Sequence, residues 1–218
     1  MSFADGVVNA ISRYKRGFYF SPSFVGDHSW NGFENNLLFE SIGNKRFSDV
    51  ARAVGVDEIR DSRAVAIADL NMDGKLDLVI QNNNETPTIY LNNSKEQGRF
   101  LQIKLIGDLD ANRDAIGTRV TVAYLDNDGK KKTAVRWVEA GNGHSSQSQS
   151  SLHFGLGICQ ELSSISISWP DGTTNTISQN LGRLVDQSFA IQKQKDSAKI
   201  IVEKSKSDLA YKHKGENQ

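Results

Sequence analysis

The clearest chemistry in this chain lies in the stretch Ala66-Ile-Ala-Asp69-Leu-Asn71-Met-Asp73-Gly74-Lys75-Leu-Asp77-Leu-Val-Ile80. Asp69, Asn71, Asp73 and Asp77 put oxygen-bearing side chains at positions one, three, five and nine of a short loop. Gly74 stands at the sharp turn, and the backbone carbonyl of Lys75 falls at position seven. Hard cations such as Ca2+ take about six to eight oxygen ligands, and alternate side chains of a D-x-N-x-D-G loop converge on one point. Asp69, Asn71, Asp73, Lys75 and Asp77 therefore form a candidate calcium site. An EF-hand would close it with Glu at position twelve, where this chain has Ile80. The competing reading is a plain polar hairpin, because Asp, Asn and Gly dominate turns for their own reasons. Against it stands the repulsion among three clustered carboxylates, which the Lys75 ammonium would offset only in part.

A second polar group comprises Asn112, Arg113 and Asp114 with Arg136, His144, Ser145, Ser146, Gln147 and His153. Ser146, His144 and Asp114 supply the types for a nucleophile, base and acid, but nothing in their spacing requires that arrangement. No G-x-S-x-G elbow, H-E-x-x-H, paired-cysteine metal motif or phosphate-cradling loop is present, and Gly155-Leu-Gly157 is too short for a dinucleotide fingerprint. The expectation is structural: Arg113 and Asp114 pair and tie loops, while Gly141, Gly143, Gly155 and Gly157 permit tight turns. Asn112, Arg113, Asp114, His144 and Gln147 remain as an alternative ligand surface.

The elements that must carry these residues are strands. Val65-Ala-Ile-Ala and Leu76-Asp-Leu-Val-Ile alternate with period two on either side of the acidic loop, so the loop joins strands. Short strands are expected at Leu37–Phe39, Arg46–Phe47 and Thr88–Leu91, with a turn at Gly43-Asn44 and one helical turn over Ala51–Val54 ending at Gly55. After Gly98 the alternation is clean. Leu101, Ile103 and Leu105 share a buried face, as do Val120, Val122 and Tyr124, then Val135 and Trp137, then Ile165, Ile167 and Trp169 with Ser164, Ser166 and Ser168 facing out. Asp126-Asn-Asp-Gly129 and Pro170-Asp-Gly-Thr read as hairpin turns, the first with too few oxygen ligands for calcium. Ser188-Phe-Ala-Ile-Gln is expected to be the last strand, followed by a lysine-rich tail from Lys193.

At the N-terminus, Val7, Val8, Ile11 and Tyr14 have the spacing of a short amphipathic helix, and Gly17-Phe-Tyr-Phe-Ser-Pro-Ser-Phe follows as an aromatic cluster. This segment is either a strap on the body or an arm for a partner or a membrane surface. The resulting division is residues 1–28 as helix and strap, 29–98 as the calcium-loop region, 99–192 as a sandwich, and 193–218 as tail. Its fold class is all-β and mainly antiparallel, a partial blade packed on a β-sandwich.

With 26 basic and 26 acidic residues among 218, the chain has no net charge to recruit nucleic acid or an anionic membrane. One cysteine, Cys159, excludes an intramolecular disulfide, and its apolar setting reads as a buried thiol. No stretch approaches the roughly 20 apolar residues of a membrane span. The N-terminal charges follow the weak apolar run, the reverse of a secretory leader, which points to the cytoplasm. A cytoplasmic calcium loop must be tight to be filled, because weak extracellular-type loops bind at about 10⁻⁴ to 10⁻³ M.

Asp69 to Asp77 with its strands, preceded by Asn35-Asn-Leu-Leu-Phe and Arg46-Phe-Ser-Asp-Val, resembles the FG-GAP/VCBS repeat of integrin-type propellers. Asn112-Arg-Asp-Ala-Ile-Gly-Thr-Arg-Val, Ala140-Gly-Asn-Gly-His-Ser-Ser-Gln-Ser, Leu152-His-Phe-Gly-Leu-Gly and Ile167-Ser-Trp-Pro-Asp-Gly resemble, in order, the ASPIC/UnbV domain of cartilage-acidic-protein-like chains, nearest its short bacterial and especially cyanobacterial members. The resemblance spans residues 29 to 192. It implies a calcium-linked adhesion or scaffold module without established catalysis, commonly exported, and it leaves an exported or membrane-associated location open. Here one full loop and half a preceding repeat replace the several repeats of a closed propeller, so the blade must lean on the sandwich or on another chain. The expected function is a non-catalytic, calcium-binding module mediating protein–protein contacts. The alternative is a carbohydrate-binding or glycan-processing protein using Trp30, with Trp137 expected in the core.

Overall fold

The computed structural model describes residues 34–95, 98–108, 112–194 and 197–201. The expected N-terminal helix, the aromatic strap, Trp30 and most of the lysine-rich segment lie outside these residues. The regular elements among the described residues are nearly all β-strands, as the alternation predicts. No helix among the described residues is long and apolar enough to cross a membrane. The chain divides into two compact units, Met1–Val65 with Val79–Tyr90, and Ala66–Leu78 with Leu91–Gln218.

The first unit contains short strands: β1 (Glu34–Asn35) pairs with β4 (Ile59–Arg60), and β2 (Phe39–Ser41) with β3 (Phe47–Asp49). The β2–β3 turn holds Gly43 and Asn44 at positive φ, at the place the sequence indicates. The helical turn Ala51–Val54 also forms there and ends on Gly55 in the left-handed region, where a side chain would be strained. A three-stranded sheet runs β5 (Ser62–Ala68), β6 (Asp77–Asn82), β7 (Thr88–Tyr90), and the unit boundaries fall inside β5 and β6. Glu58 organises the polar side of this unit. Its carboxylate accepts from Arg60, Thr88 and Tyr90, and the Arg60 guanidinium holds it below the usual carboxylate range. Apolar burial in the unit is slight: among the described residues Ala51, Val56 and Ile80 are buried, while Phe39 and Phe47 are exposed.

The second unit contains a β-sandwich. One sheet runs β10 (Lys131–Trp137), β9 (Arg119–Asp126), β12 (Cys159–Ser168), β13 (Thr174–Ile177). The other runs β11 (Leu152–Gly157), β8 (Arg99–Ile106), β14 (Gln187–Gln194), β15 (Ser197–Ile201). All pairs in these two sheets are antiparallel except β8 with β14. Leu101, Ile103, Val120, Val122, Phe154, Ile165, Ile167 and Ile191 are fully buried between the sheets, with Leu105 and Trp169 close behind. The indole Nε1 of Trp169 keeps a partner by donating to Asn175 Oδ1 at 2.6 Å. Full burial of one such aliphatic side chain contributes about 1.5–3 kcal/mol, so this layer, and not the first unit, holds the larger core.

Two expectations are corrected. Val135 and Trp137 do not share a buried face: Val135 is half-buried, and Trp137 is 54% exposed with the Arg119 guanidinium 6.0 Å over its ring. Residues directly opposite on antiparallel strands share a face, and Ala134 lies opposite Val122 and Arg136 opposite Val120. The inward positions of β10 are thus Ala134 and Arg136, and the Arg136 guanidinium lies 5.9 Å over the Phe154 ring. The tail also begins later than expected. Lys193 is a buried residue of β14, its ammonium bonded to Asp108 and Asp171 and 6.0 Å from the Trp169 ring centre, and Ser197–Ile201 adds β15 to the sheet. A lysine with two carboxylate partners is buried at far lower cost than one alone, which is why lysine content misreads the segment as solvated. Cys159 is buried, as expected, and burial pushes its thiol pKa up.

Candidate functional site

The acidic loop joins β5 to β6, as the flanking alternation predicts. Its turn is closed by side-chain oxygens. The Asp69 carboxylate accepts from the Asp73 amide at 3.1 Å and the Gly74 amide at 2.9 Å. Asn71 Oδ1 also accepts from the Asp73 amide, and Asp73 Oδ1 accepts from the Lys75 amide at 2.9 Å. Asp77 is 1% exposed and receives two backbone amides, Leu70 and Asn92, each at 2.8 Å. Lys75 turns its ammonium away to the Ser94 carbonyl at 2.9 Å. Its charge therefore goes to a backbone oxygen, not to the neighbouring carboxylates.

An ionised carboxylate has about four lone-pair sites, so one amide per oxygen leaves Asp69 and Asp77 able to accept more. The donor set is all oxygen, which suits a hard ion. Among the described residues no three His, Cys, Asp or Glu side chains are gathered closely enough to hold an ion. Asp69, Asp73 and Asp77 are ranged around the turn on backbone amides and are not drawn to a common point. The chemistry of the residues fits calcium; gathering them is the remaining step.

The loop rests on the sandwich, within the same compact unit. Inward residues of β8 are Leu101, Ile103 and Leu105, which leaves Phe100 and Gln102 on the outer face. His153 of β11 lies directly opposite Gln102 and shares that face. The His153 Nε2 is 2.8 Å from the Gly74 carbonyl oxygen, and its ring stacks on Phe100 with centroids 5.8 Å apart and planes 6° from parallel. Gly74 has φ +85°, and a Cβ there would run into the Phe100 ring. Farther along, the Gln149 amide donates to the Ile67 carbonyl and the Ile67 amide to Ser148 Oγ. Gln149 Oε1 accepts from the Asp69 amide at 3.0 Å and from Gln102 Nε2 at 3.4 Å.

The second polar group is not gathered into one site. Arg113 and Asp114 pair with each other at 3.1 Å while both stay largely exposed, so the pair ties no distant loops. The hydrogen bond to Asp114, and then its charge, raise the Arg113 pKa. Asn112, at φ 50°, folds its amide back on the Ile116 backbone. His144 and Gln147 are exposed on another loop, where the Ser146 hydroxyl donates to the Asn142 carbonyl. Among the described residues no hydrogen bond or ion pair joins Asn112, Arg113 or Asp114 to His144, Ser146 or Gln147. Sequence reasoning had placed His153 with this polar group and did not single out Gln149. Both instead hold the acidic loop, about 80 residues away along the chain. The available signal was Phe100 and His153 at outward strand positions, an aromatic pair on a face that would otherwise meet water.

Two family models match parts of the chain. Residues 69–132 match the family model of the FG-GAP-like repeat, and residues 108–198 match that of ASPIC and UnbV. Each match covers less than half of the chain, and the two overlap between residues 108 and 132. Among curated proteins it is similar to cartilage acidic protein 1 of Xenopus tropicalis, with 40% identity over 70 residues, 31% of this chain and 11% of that protein. The proteins of the same name from Mus musculus and Homo sapiens are 46% and 44% identical over 57 residues, each covering 26% of this chain and 9% of the relative. The match thus spans about a tenth of the length of these relatives.

Proposed function

We propose that this chain is a non-catalytic interaction module that binds Ca2+ in the 69–77 loop and presents a surface to a protein partner. FG-GAP-like repeats are commonly used in protein interactions. The observation that best supports the reading is the donor set of the loop: oxygen side chains of Asp69, Asn71, Asp73 and the buried Asp77 follow one another around a turn that the Asp69 carboxylate closes. Asp69, Asn71, Asp73 and Asp77 side chains with the Lys75 carbonyl would hold the ion. Bound calcium supplies charge neutralisation and rigidity to the loop. The protein-derived part of the work is positional: the sandwich seats the turn at Gly74 through Phe100 and His153, while Asp77 ties the loop to Leu70 and Asn92. Zero net charge favours a protein over a polyanion as partner. The exposed 112–114 and 144–147 loops are the contacts assigned to it.

One observation favours a glycan as second ligand. Trp137 presents an exposed indole on an edge strand beside Arg119, and an exposed aromatic face of that kind serves for stacking. A pull-down from the native cell, with and without EDTA, together with a glycan array, separates the two. Capture of one protein that EDTA releases, with a silent array, is the expected result. Array binding lost with Trp137→Ala would replace the protein reading with the glycan one.

A further inference from the structure

Resting on the calcium reading, we propose that Gln149 and His153 are positioning residues for the loop, and that calcium in turn orders the segment 142–153 that carries them. Two independent contacts lead there. Gln149 fixes the backbone of the first ligand, through the Asp69 amide, and His153 fixes the carbonyl of the turn glycine, Gly74. The two contacts hold opposite ends of the turn, so the sandwich sets the spacing between position one and position six of the loop.

The orientation of Gln149 adds to this. Its oxygen serves both the Asp69 amide and Gln102, and its amide nitrogen is left buried without a hydrogen-bond partner in the protein. A buried donor without a partner is unfavourable, so the side chain keeps its oxygen on the loop at the expense of its nitrogen. The same residue anchors one end of the 142–149 loop. Ser148 accepts from Ile67 while its own amide donates to Asn142 Oδ1, and the Gln149 amide bonds the Ile67 carbonyl. His144 and Gln147 sit on this loop, exposed. Binding and ordering are reciprocal: a residue set that strengthens calcium binding by holding the loop is itself held more firmly when calcium is bound. Calcium occupancy therefore stabilises the polar loop that Proposed function assigns to a partner.

The test is calcium calorimetry on the full chain with Gln149→Met, which removes the acceptor at nearly constant volume, and His153→Phe, which keeps the stack on Phe100 but loses the hydrogen bond. Each variant is expected to weaken calcium about five-fold, the equivalent of one ordinary hydrogen bond of about 1 kcal/mol. His153→Gln, which restores an amide donor, recovers part of the loss. Hydrogen exchange on the unaltered chain supplies a readout that needs no variant to fold: calcium is expected to slow exchange across residues 142–153. A purely structural role lowers thermal stability but leaves calcium affinity unchanged, and that outcome, or unchanged exchange across 142–153, overturns the inference while the calcium reading stands. No calcium heat at all from the unaltered chain removes the calcium reading itself, and this inference with it.

Discussion

Gly74→Ala is the substitution in which loop and sandwich meet most directly. Gly74 has φ +85°, and an added methyl would overlap the Phe100 ring of β8. Left-handed backbone costs a non-glycine residue about 1–2 kcal/mol, and forcing a methyl into a filled space adds about 1–3 kcal/mol. Together they give a loss of about 2–5 kcal/mol. Gly172→Ala is the control, because Gly172 has nearly the same φ of +84° and nothing within 4 Å of its added Cβ. It should lose only the backbone share, about 1–2 kcal/mol. Urea unfolding followed by circular dichroism measures both. A double-mutant cycle with Phe100→Ala isolates the contact, since removing the ring should make Gly74→Ala cheaper by about 1–3 kcal/mol. Equal costs at Gly74 and Gly172, or no coupling to Phe100, would refute the seat of the loop against β8.

Ile165→Ala, at a fully buried site between the sheets, should lower unfolding free energy by about 2–5 kcal/mol, whereas Trp137→Ala on the exposed edge should change it by no more than about 0.5 kcal/mol in the same denaturation series. The Asp171 carboxyl is lowered from 3.8 to about 2, mainly by the Lys193 ammonium and then by Thr173. A depressed folded-state pKa contributes stability that is complete above the unfolded value and disappears as pH falls through the folded one. Thermal melts should therefore drop between about pH 4 and pH 2, and Lys193→Met should flatten that slope. Cys159, buried and with its thiol pKa raised by burial, should react with a thiol reagent slowly in the native chain and rapidly in denaturant; fast native labelling would contradict its burial.

Local patterns gave away the strands wherever one face meets the core. Leu101 and Ile103, Val120 and Val122, and Ile165 and Ile167 are buried as alternation requires, and the acidic loop joins strands because its flanks have period two. Alternation failed on β10. Its adjacent residues Ala134 and Val135, on opposite faces, are both half-buried, so only the pairing partner on β9 decides which side turns in, and that partner is not visible locally. Lys193 was misread for a related reason: its burial depends on Asp108 and Asp171, residues brought to it by the fold. The site shows the same limit. The oxygen-bearing residue types and their spacing in 69–77 could be read directly, while the Gln149 and His153 contacts lie about 80 residues from the loop, with only the outward Phe100–His153 pair as a sign of them. The first unit's exposed Phe39 and Phe47 lie diagonally on one face of the β2–β3 hairpin, consistent with a blade too small to bury its own surface.

Calcium titration of the EDTA-stripped full chain by calorimetry tests the central claim most directly. The expected result is a single-site heat that Asp69→Ala abolishes, accompanied by a rise in melting temperature. No heat and no thermal shift at about millimolar calcium would contradict it, and would return the Asp69–Asp77 stretch to a polar hairpin held closed by its own amides.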